Sequence, residues 1–363
     1  MLNQDPGTGA NPAISVVCSC YNHGRFIGAF LEAMAAQTDG RFEVIIIDDA
    51  SGDDSLAVIK ACHDPRIKLV ARERNRGYCA SLNDGIRLAR ADVVAFLASD
   101  DLFHPRYVER VLAAFGANPS AAAVYVELER MSPEGVSLGE VGRLPAAATR
   151  WEILRRSFLG KNQLPSPGMA VRRELARDIL LPEGTVQYSD WMLQNRVLMH
   201  GEVVMIEEPL VRYRVSAASL SARSVGSVAR DLLETRIMMD DFLRIQAITF
   251  WAQVFPVEIA PFAALPDRHL PYVLGRIALL SDIPEKRCWG YETIMRHLSL
   301  PGIAESLQAL ASFTHKDLMA LAPTDVPEHI EEMRLLRRKA RHLRRWVMVL
   351  VSALALALYA LCK

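Results

Sequence analysis

Net charge is the first thing the 363-residue chain lacks: 42 Lys and Arg balance 42 Asp and Glu. A nucleic-acid binder carries a basic surplus, so that class is excluded. Cysteine pairs at C-x-x-C spacing are missing as well. The six cysteines lie at 18, 20, 62, 79, 288 and 362, which argues against a structural zinc site. Cys18 and Cys20 share one face of an expected strand, at the edge of disulfide reach. They are read as core thiols of a reducing compartment. The first twelve residues are polar and lack the apolar stretch of a signal peptide, which predicts a catalytic part that stays in the cytoplasm. What the chain does have is apolar mass. Hydrophobic residues make up 51% of it, enough for one large domain and a smaller one.

The pattern alternates strand and helix. Residues 14–20 are a short apolar run with β-branched members, read as a buried strand. Tyr21-Asn22-His23-Gly24 breaks it. Phe26, Ile27, Phe30, Leu31 and Met34 then recur at helical spacing. Residues 42–47 form a second strand that ends in Asp48-Asp49. Residues 67–71 form a third, 80–89 a helix, and 93–98 a fourth strand ending in Ser99-Asp100-Asp101. Such alternation predicts an α/β fold, with a mostly parallel sheet flanked by helices. Ligands of these sheets bind at the carboxyl ends of the strands. Both acidic pairs sit at such ends and therefore on one rim. Residues 151–221 read as mixed short strands and helices, 221–228 as a linker and 230–253 as helix. Pro256, Pro261, Pro266 and Pro271 are read as turns or helix starts.

Asp100 and Asp101 are adjacent carboxylates whose repulsion a divalent cation relieves. Mg2+ or Mn2+ would take a carboxylate, waters and diphosphate oxygens. The competing reading is a cap on the following helix or loop. In Asp48-Asp49-Ala50-Ser51, a carboxylate can accept the imide N–H of uracil or thymine. The competing reading there is a plain strand-to-helix turn.

Taken in order, these stretches resemble the family 2 glycosyltransferases of the GT-A fold. The matching residues are I-S-V-V-C-S-C-Y-N at 14–22, F-E-V-I-I-I-D-D-A-S at 42–51, N-R-G-Y-C-A-S-L-N-D-G at 75–85 and F-L-A-S-D-D-L-F-H-P at 96–105. The resemblance covers residues 14–221. It implies that Ser19 and Tyr21 pack the nucleobase and that Asp49 is the base-binding carboxylate. Asp100 would bind ribose or support the metal, and Asp101 would ligate the metal. Asn75, Gly77 and Asn83 match a loop beside the nucleotide, where turn-forming and helix-capping roles compete with direct contact. His104 is read as a loop residue.

The second half supplies the acceptor side. Ser166-Pro167-Gly168-Met169 resembles the family's glycine-marked acceptor loop. Tyr188-Ser189-Asp190-Trp191 resembles its E-D-W-type motif, which implies Asp190 as the general base, with Gly168, Met169 and Trp191 on the acceptor side. A hydroxyl is a poor nucleophile at neutral pH, so a positioned base is required. Arg212-Tyr213-Arg214-Val215-Ser216 resembles the closing R-x-H motif. It implies Arg214 at the diphosphate, with Ser216 standing where histidine is common.

The C-terminal end is distinct. Arg334, Arg337, Arg338, Lys339, Arg341, Arg344 and Arg345 precede residues 346–362, which carry no charge. At about 1.5 Å per residue the apolar segment would reach roughly 25 Å as a helix, near the short limit for spanning a bilayer. Trp346 and Tyr359 suit the interfaces, and the basic run suits an anionic cytoplasmic lipid surface. A helix docked on the core is the competing reading. Met333, Leu336, Ala340, Leu343, Val347, Leu350 and Leu354 form a heptad seam that would allow a homo-oligomer.

The expected organisation is a flexible N-terminus (1–12), a GT-A glycosyltransferase domain (13–225), a helical region (226–322), a linker with a basic helix (323–345) and a membrane-associated or transmembrane segment (346–362). The expected activity is inverting transfer from a nucleotide-sugar donor, UDP- or dTDP-linked by preference, to the hydroxyl of a glycan or lipid-linked acceptor. Its place would be surface polysaccharide or glycolipid synthesis at the cytoplasmic face of the membrane. The alternatives are a sugar nucleotidyltransferase and a non-catalytic membrane-associated scaffold on the same fold.

Overall fold

The structure is a computed structural model and describes residues 11–215 and 227–322. The chain divides into two compact units, the first ending at Ala263 and the second beginning at Ala264.

The first unit is built on a nine-stranded sheet. Its strands are β1 (Ile14–Cys20), β2 (Phe42–Asp48), β3 (Ile67–Ala71), β4 (Val93–Ala98), β5 (Leu102–Phe103), β6 (Ala123–Met131), β7 (Ser137–Gly142), β8 (Ala170–Arg172) and β9 (Val203–Arg214). The order is β3-β2-β1-β4-β8-β6-β9-β5, with β7 paired to β6. The first four strands are parallel. β1, β2 and β4 are buried along nearly their whole length and mostly apolar, while the edge strand β3 is only partly buried and carries the exposed Lys68; the bounds of β1, β3 and β4 fall where the sequence pattern puts them. Beyond β4 the sheet is mixed. β8 is antiparallel to β4 and to β6, while β9 runs parallel to β6.

The parallel half decides where the site lies. Ser19 is in register with Ile47 of β2 and Ala98 of β4. The residues that follow those positions, Tyr21, Asp49 and Asp100-Asp101, therefore leave the sheet at the same edge.

Helices α1 (Gly24–Ala35), α2 (Ser55–Ala61), α3 (Tyr78–Leu88) and α4 (Tyr107–Ala117) connect these strands. The buried face of α1 is Ile27, Phe30, Leu31 and Met34, the apolar set that the 3.6-residue period picks out. Helices α5 (Arg150–Leu159), α6 (Arg173–Asp178) and α7 (Ser189–His200) follow. A reciprocal capping box between Thr149 and Glu152 starts α5.

The expected boundary at 225/226 is not where the described chain divides. Helices α8 (Ser227–Asp241), α9 (Ile248–Val254) and α10 (Pro256–Ile259) belong to the first unit. The reason is aromatic packing: Phe158 of α5 meets the ring of Phe242 at 4.8 Å and that of Phe255 at 5.0 Å, both edge-on. A bidentate ion pair, Arg196 to Asp241 at 2.7 and 2.9 Å, ties α7 to α8 in the interior.

The second unit holds α11 (Leu270–Ala278), α12 (Pro284–Leu298), α13 (Ile303–Ala311) and α14 (His315–Ala320). Helices α11 and α12 cross where two glycines face each other. A Cβ on Gly275 would stand 2.8 Å from the Gly290 carbonyl oxygen, and one on Gly290 would stand 2.6 Å from that of Gly275. Pro256, Pro271 and Pro284 occupy helix starts, where a missing N–H costs nothing. Ser216, the linker at 221–228 up to residue 226, and everything from residue 323, including the basic run and the apolar segment, lie outside the described residues.

Candidate active site

The rim formed by β1, β2 and β4 gathers the acidic residues. Asp101 is 1% exposed. Its Oδ1 accepts the backbone N–H of Arg214 at 2.8 Å, and its Oδ2 finds no partner among the described residues. Burial pushes its carboxyl well above the usual range, the Asp100 charge pushes the same way, and the Arg214 N–H opposes both. An unmatched, buried carboxylate oxygen at a strand end is what a hard cation would satisfy. Among the described residues no cluster of three or more His, Cys, Asp and Glu could hold a metal alone. A Mg2+ or Mn2+ here would therefore take Asp101, with Asp100 beside it, and complete its shell with water and diphosphate oxygens. The residues present fit that ion.

Asp49 is 2% exposed and held by the chain itself. Oδ1 accepts from Arg72 Nη1 at 2.7 Å and from the N–H of Arg76 at 2.9 Å, and Oδ2 accepts from the N–H of Gly77 at 2.7 Å. Its neighbour Asp48 accepts from the N–H and hydroxyl of Ser51, so this acid makes the strand-to-helix turn. A carboxylate has about four acceptor positions. Three of these are filled at Asp49, which leaves one open while its loop is fixed around it. Arg72, absent from the sequence-derived site, leaves β3 at the same rim and also pairs with Asp84.

Ser19 is partly buried at the strand end, its carbonyl accepting from Ser99 Oγ at 3.0 Å. Ser99 Oγ also meets His23 Nδ1 at 2.7 Å. Since the serine proton is committed to Ser19, the His23 Nδ1–H must be the donor in that pair. Tyr21 is 48% exposed on the rim. Asn75 is exposed and accepts the Gly77 N–H at 3.0 Å.

Three of the residues expected near the ligand are tied into the interior by their own contacts. Asn83 is 2% exposed, and its amide pairs with both backbone groups of Leu181, at 2.8 and 3.0 Å. Gly168 adopts φ +79°, and a Cβ there would stand 2.6 Å from Val211 Cγ2. Only glycine meets both conditions. Met169 is 1% exposed, and its carbonyl accepts the Phe96 N–H at 2.9 Å. Gly168 and Met169 therefore complete the sheet beside β4 and present no side-chain surface to an acceptor. Arg214 is similar. Its guanidinium donates to the carbonyls of Asp100, Ser132 and Pro133 and lies 4.5 Å from the centre of the Phe26 ring.

Asp190 opens α7 and keeps some exposed surface. Burial raises its carboxyl above the ordinary value. The N–H of Trp191, at 2.7 Å from Oδ1, and the hydroxyl of Ser166 oppose the rise. Ser166 is in turn held by Gln194 Nε2 at 2.8 Å, one turn along α7. The acceptor-loop motif thus reaches the base through Ser166. Trp191 is 7% exposed, and its indole N–H donates inward to Ser157.

Tyr78 brings the two halves together. Burial raises its phenol, and the charges of Asp190 and Asp101 push in the same direction. The first residue of α3 therefore lies within electrostatic reach of both the candidate base and the candidate metal ligand. Nothing in the sequence pattern marked it apart from its place after Gly77.

A glycosyltransferase scaffold is what this rim and sheet define, a parallel half with an acidic rim joined to a mixed half that brings in Asp190. Residues 15–180 match the family model Glycosyl transferase family 2, so this segment of the chain is similar to that family's domain. The succinoglycan biosynthesis protein ExoO of Rhizobium meliloti is 35% identical over 138 residues, which cover 37% of this chain and 40% of that protein. An uncharacterized glycosyltransferase of Nostoc sp. is 25% identical over 254 residues, covering 63% of this chain and 75% of its own length. Among solved structures, S. aureus TarS 1–349 in complex with UDP-GlcNAc superposes with a TM-score of 0.54 at 17% identity, covering 82% of this chain and 83% of that one. At that identity the likeness establishes the GT-A fold alone.

Proposed function

We propose that the chain is an inverting glycosyltransferase that moves a sugar from a nucleoside-diphosphate sugar to an acceptor hydroxyl. The observation that carries this reading is Asp101, a buried carboxylate on the ligand rim with one oxygen fixed by Arg214 and the other unmatched. The nucleoside diphosphate would lie along the rim of β1, β2 and β4, with its base toward Tyr21 and Asp49. A UDP-sugar is favoured, and the TarS neighbour, solved with UDP-GlcNAc, agrees with that choice. Mg2+ or Mn2+ at Asp101, supported by Asp100, would neutralise charge on the departing diphosphate.

Asp190 then acts on the acceptor side. Its carboxylate takes the proton of the acceptor hydroxyl as that oxygen bonds to the anomeric carbon. The bond from that carbon to the diphosphate breaks on the opposite face, which inverts the centre. A base whose pKa is lifted toward the working pH transfers protons more effectively than an ordinary surface aspartate, and burial of Asp190 acts in that sense. Ser166 and Gln194 orient it.

Surface polysaccharide synthesis is the proposed setting, supported by the succinoglycan assignment of the ExoO relative. Recruitment to the cytoplasmic face of an anionic membrane through residues 334–362, with a glycan or lipid-linked acceptor, belongs to the same proposal. Among the described residues no helix is long and apolar enough to cross a membrane. The test is a screen of UDP-, dTDP- and GDP-sugars for nucleotide release, with Mg2+, Mn2+ or EDTA. Release that requires a divalent cation and one donor class supports the reading. Full release in EDTA overturns the metal assignment, and no release from any donor overturns the activity.

A further inference from the structure

Helix α8 begins 47 residues beyond the stretch that matches the family model, yet it grips the segment that carries the candidate base. Glu234 of α8 is 4% exposed. Its Oε1 accepts the N–H of Val186 at 3.0 Å, and its Oε2 accepts those of Gln187 at 2.7 Å and Tyr188 at 2.9 Å. Three consecutive amides of one strand of chain converge on one buried carboxylate. Such convergence holds only if the backbone through 186–188 stays in one conformation. Asp190 stands two residues further on, in the first turn of α7.

The grip has a second point. Asp241, seven residues after Glu234 and so on the same face of α8, binds Arg196 of α7. Contacts that advance together along both helices mean that α8 runs alongside α7 in the same sense. The negative charge of Glu234 also meets the positive end of the α7 dipole. A buried carboxylate bonded to three N–H groups has its acceptor positions satisfied where it stands.

We infer that Glu234 is a positioning residue for Asp190, acting through the amides of 186–188. The inference rests on the reading of Asp190 as the base. A carboxylate that must meet an acceptor hydroxyl at hydrogen-bond distance tolerates little displacement, and a shift of about 1 Å can cost about 10²-fold in rate.

The experiment compares Asp190→Asn, Glu234→Gln, Glu234→Ala and the double variant Asp190→Asn/Glu234→Ala in the full chain. The rate is nucleotide release from UDP-GlcNAc, or from whichever donor in the screen gives the fastest release, and UDP affinity is measured beside it. Glu234→Gln keeps the shape and one acceptor oxygen, and it carries the test if the alanine variant does not fold. Expected is a fall in kcat of about 10-fold for Gln and about 10² for Ala, with donor KM and UDP affinity unchanged. In the Asp190→Asn background, Glu234→Ala should change kcat less than about two-fold, because a residue that works only through Asp190 has nothing left to position. Equal losses in the two backgrounds, or wild-type kcat in both Glu234 variants while Asp190→Asn is impaired, overturn the inference and leave the base reading standing. Wild-type kcat in Asp190→Asn overturns the base reading and the inference with it.

Discussion

The backbone N–H of Arg214 donates to Asp101 Oδ1 across 2.8 Å, so the last residue of β9 fixes an acid at the end of β4. This bond leaves Oδ2 as the unmatched acceptor, and it ties an arginine whose guanidinium serves three carbonyls to the candidate site. Asp101→Asn keeps the shape and the Arg214 contact. It should cut nucleotide release by about 10²-fold or more, since a metal at this point supplies several kcal/mol. In EDTA the variant should melt no lower than the wild type, because an uncompensated buried charge has been removed. Calorimetry of both proteins in chelator checks this, and a lower melting temperature would mean that the carboxylate is a structural group.

Asp190→Asn removes the proton acceptor and keeps the volume. Turnover should fall by roughly 10²–10⁴-fold, while UDP affinity by titration calorimetry stays at the wild-type level. Loss of UDP binding would place Asp190 on the donor side instead.

Ser166→Ala should move the acid limb of the kcat/KM profile. The Ser166 hydroxyl stabilises the charged form of Asp190, lowering a carboxyl that burial raises. Without it the carboxyl rises further, so the limb shifts to higher pH, and most activity returns once the pH exceeds the new value. A uniform loss at every pH would make Ser166 a packing residue only.

Asn83→Ala separates framework from ligand contact. It strands both backbone groups of Leu181, a loss of about 1–3 kcal/mol in stability. Urea melts should register that loss while UDP affinity is unchanged. Weakened UDP binding at full stability would restore the nucleotide contact.

Membrane recruitment is tested by fractionation at low and high salt. Removal of residues 346–363 should leave binding through the basic run, worth about 1 kcal/mol per Lys or Arg, that high salt abolishes. Removal of everything after residue 327 should abolish membrane association. Full-length protein that stays in the soluble fraction would contradict recruitment.

The parallel half was legible because β1, β2 and β4, buried on both faces, must be mostly apolar, and β2, β3 and β4 are each bounded by polar residues that stop the run. The mixed half was not. β5 has two residues and β8 three, too short to carry a period, and their pairings join residues far apart in sequence. In the site, acids at strand ends were visible because charge after an apolar run needs a reason. For Asn83, Gly168 and Met169 the sequence could not separate the two roles, because a motif records framework and contact residues alike and burial is not written in it. Glu234 was invisible for the opposite reason. It lies in a helix with Asp231, Arg236 and Asp240, where one more charge reads as a solvated face.

The Asp101–Arg214 bond spans 113 residues of sequence. At a synthesis rate of about 5–20 residues per second, the acid end of β4 leaves the ribosome roughly 6–23 s before the strand that fixes it. The four parallel strands, joined by local crossovers, can pair during that interval. The nascent chain would then hold a preformed nucleotide rim whose Asp101 has no anchor. Competence to hold the diphosphate would arrive late and all at once, when β9 docks beside β6.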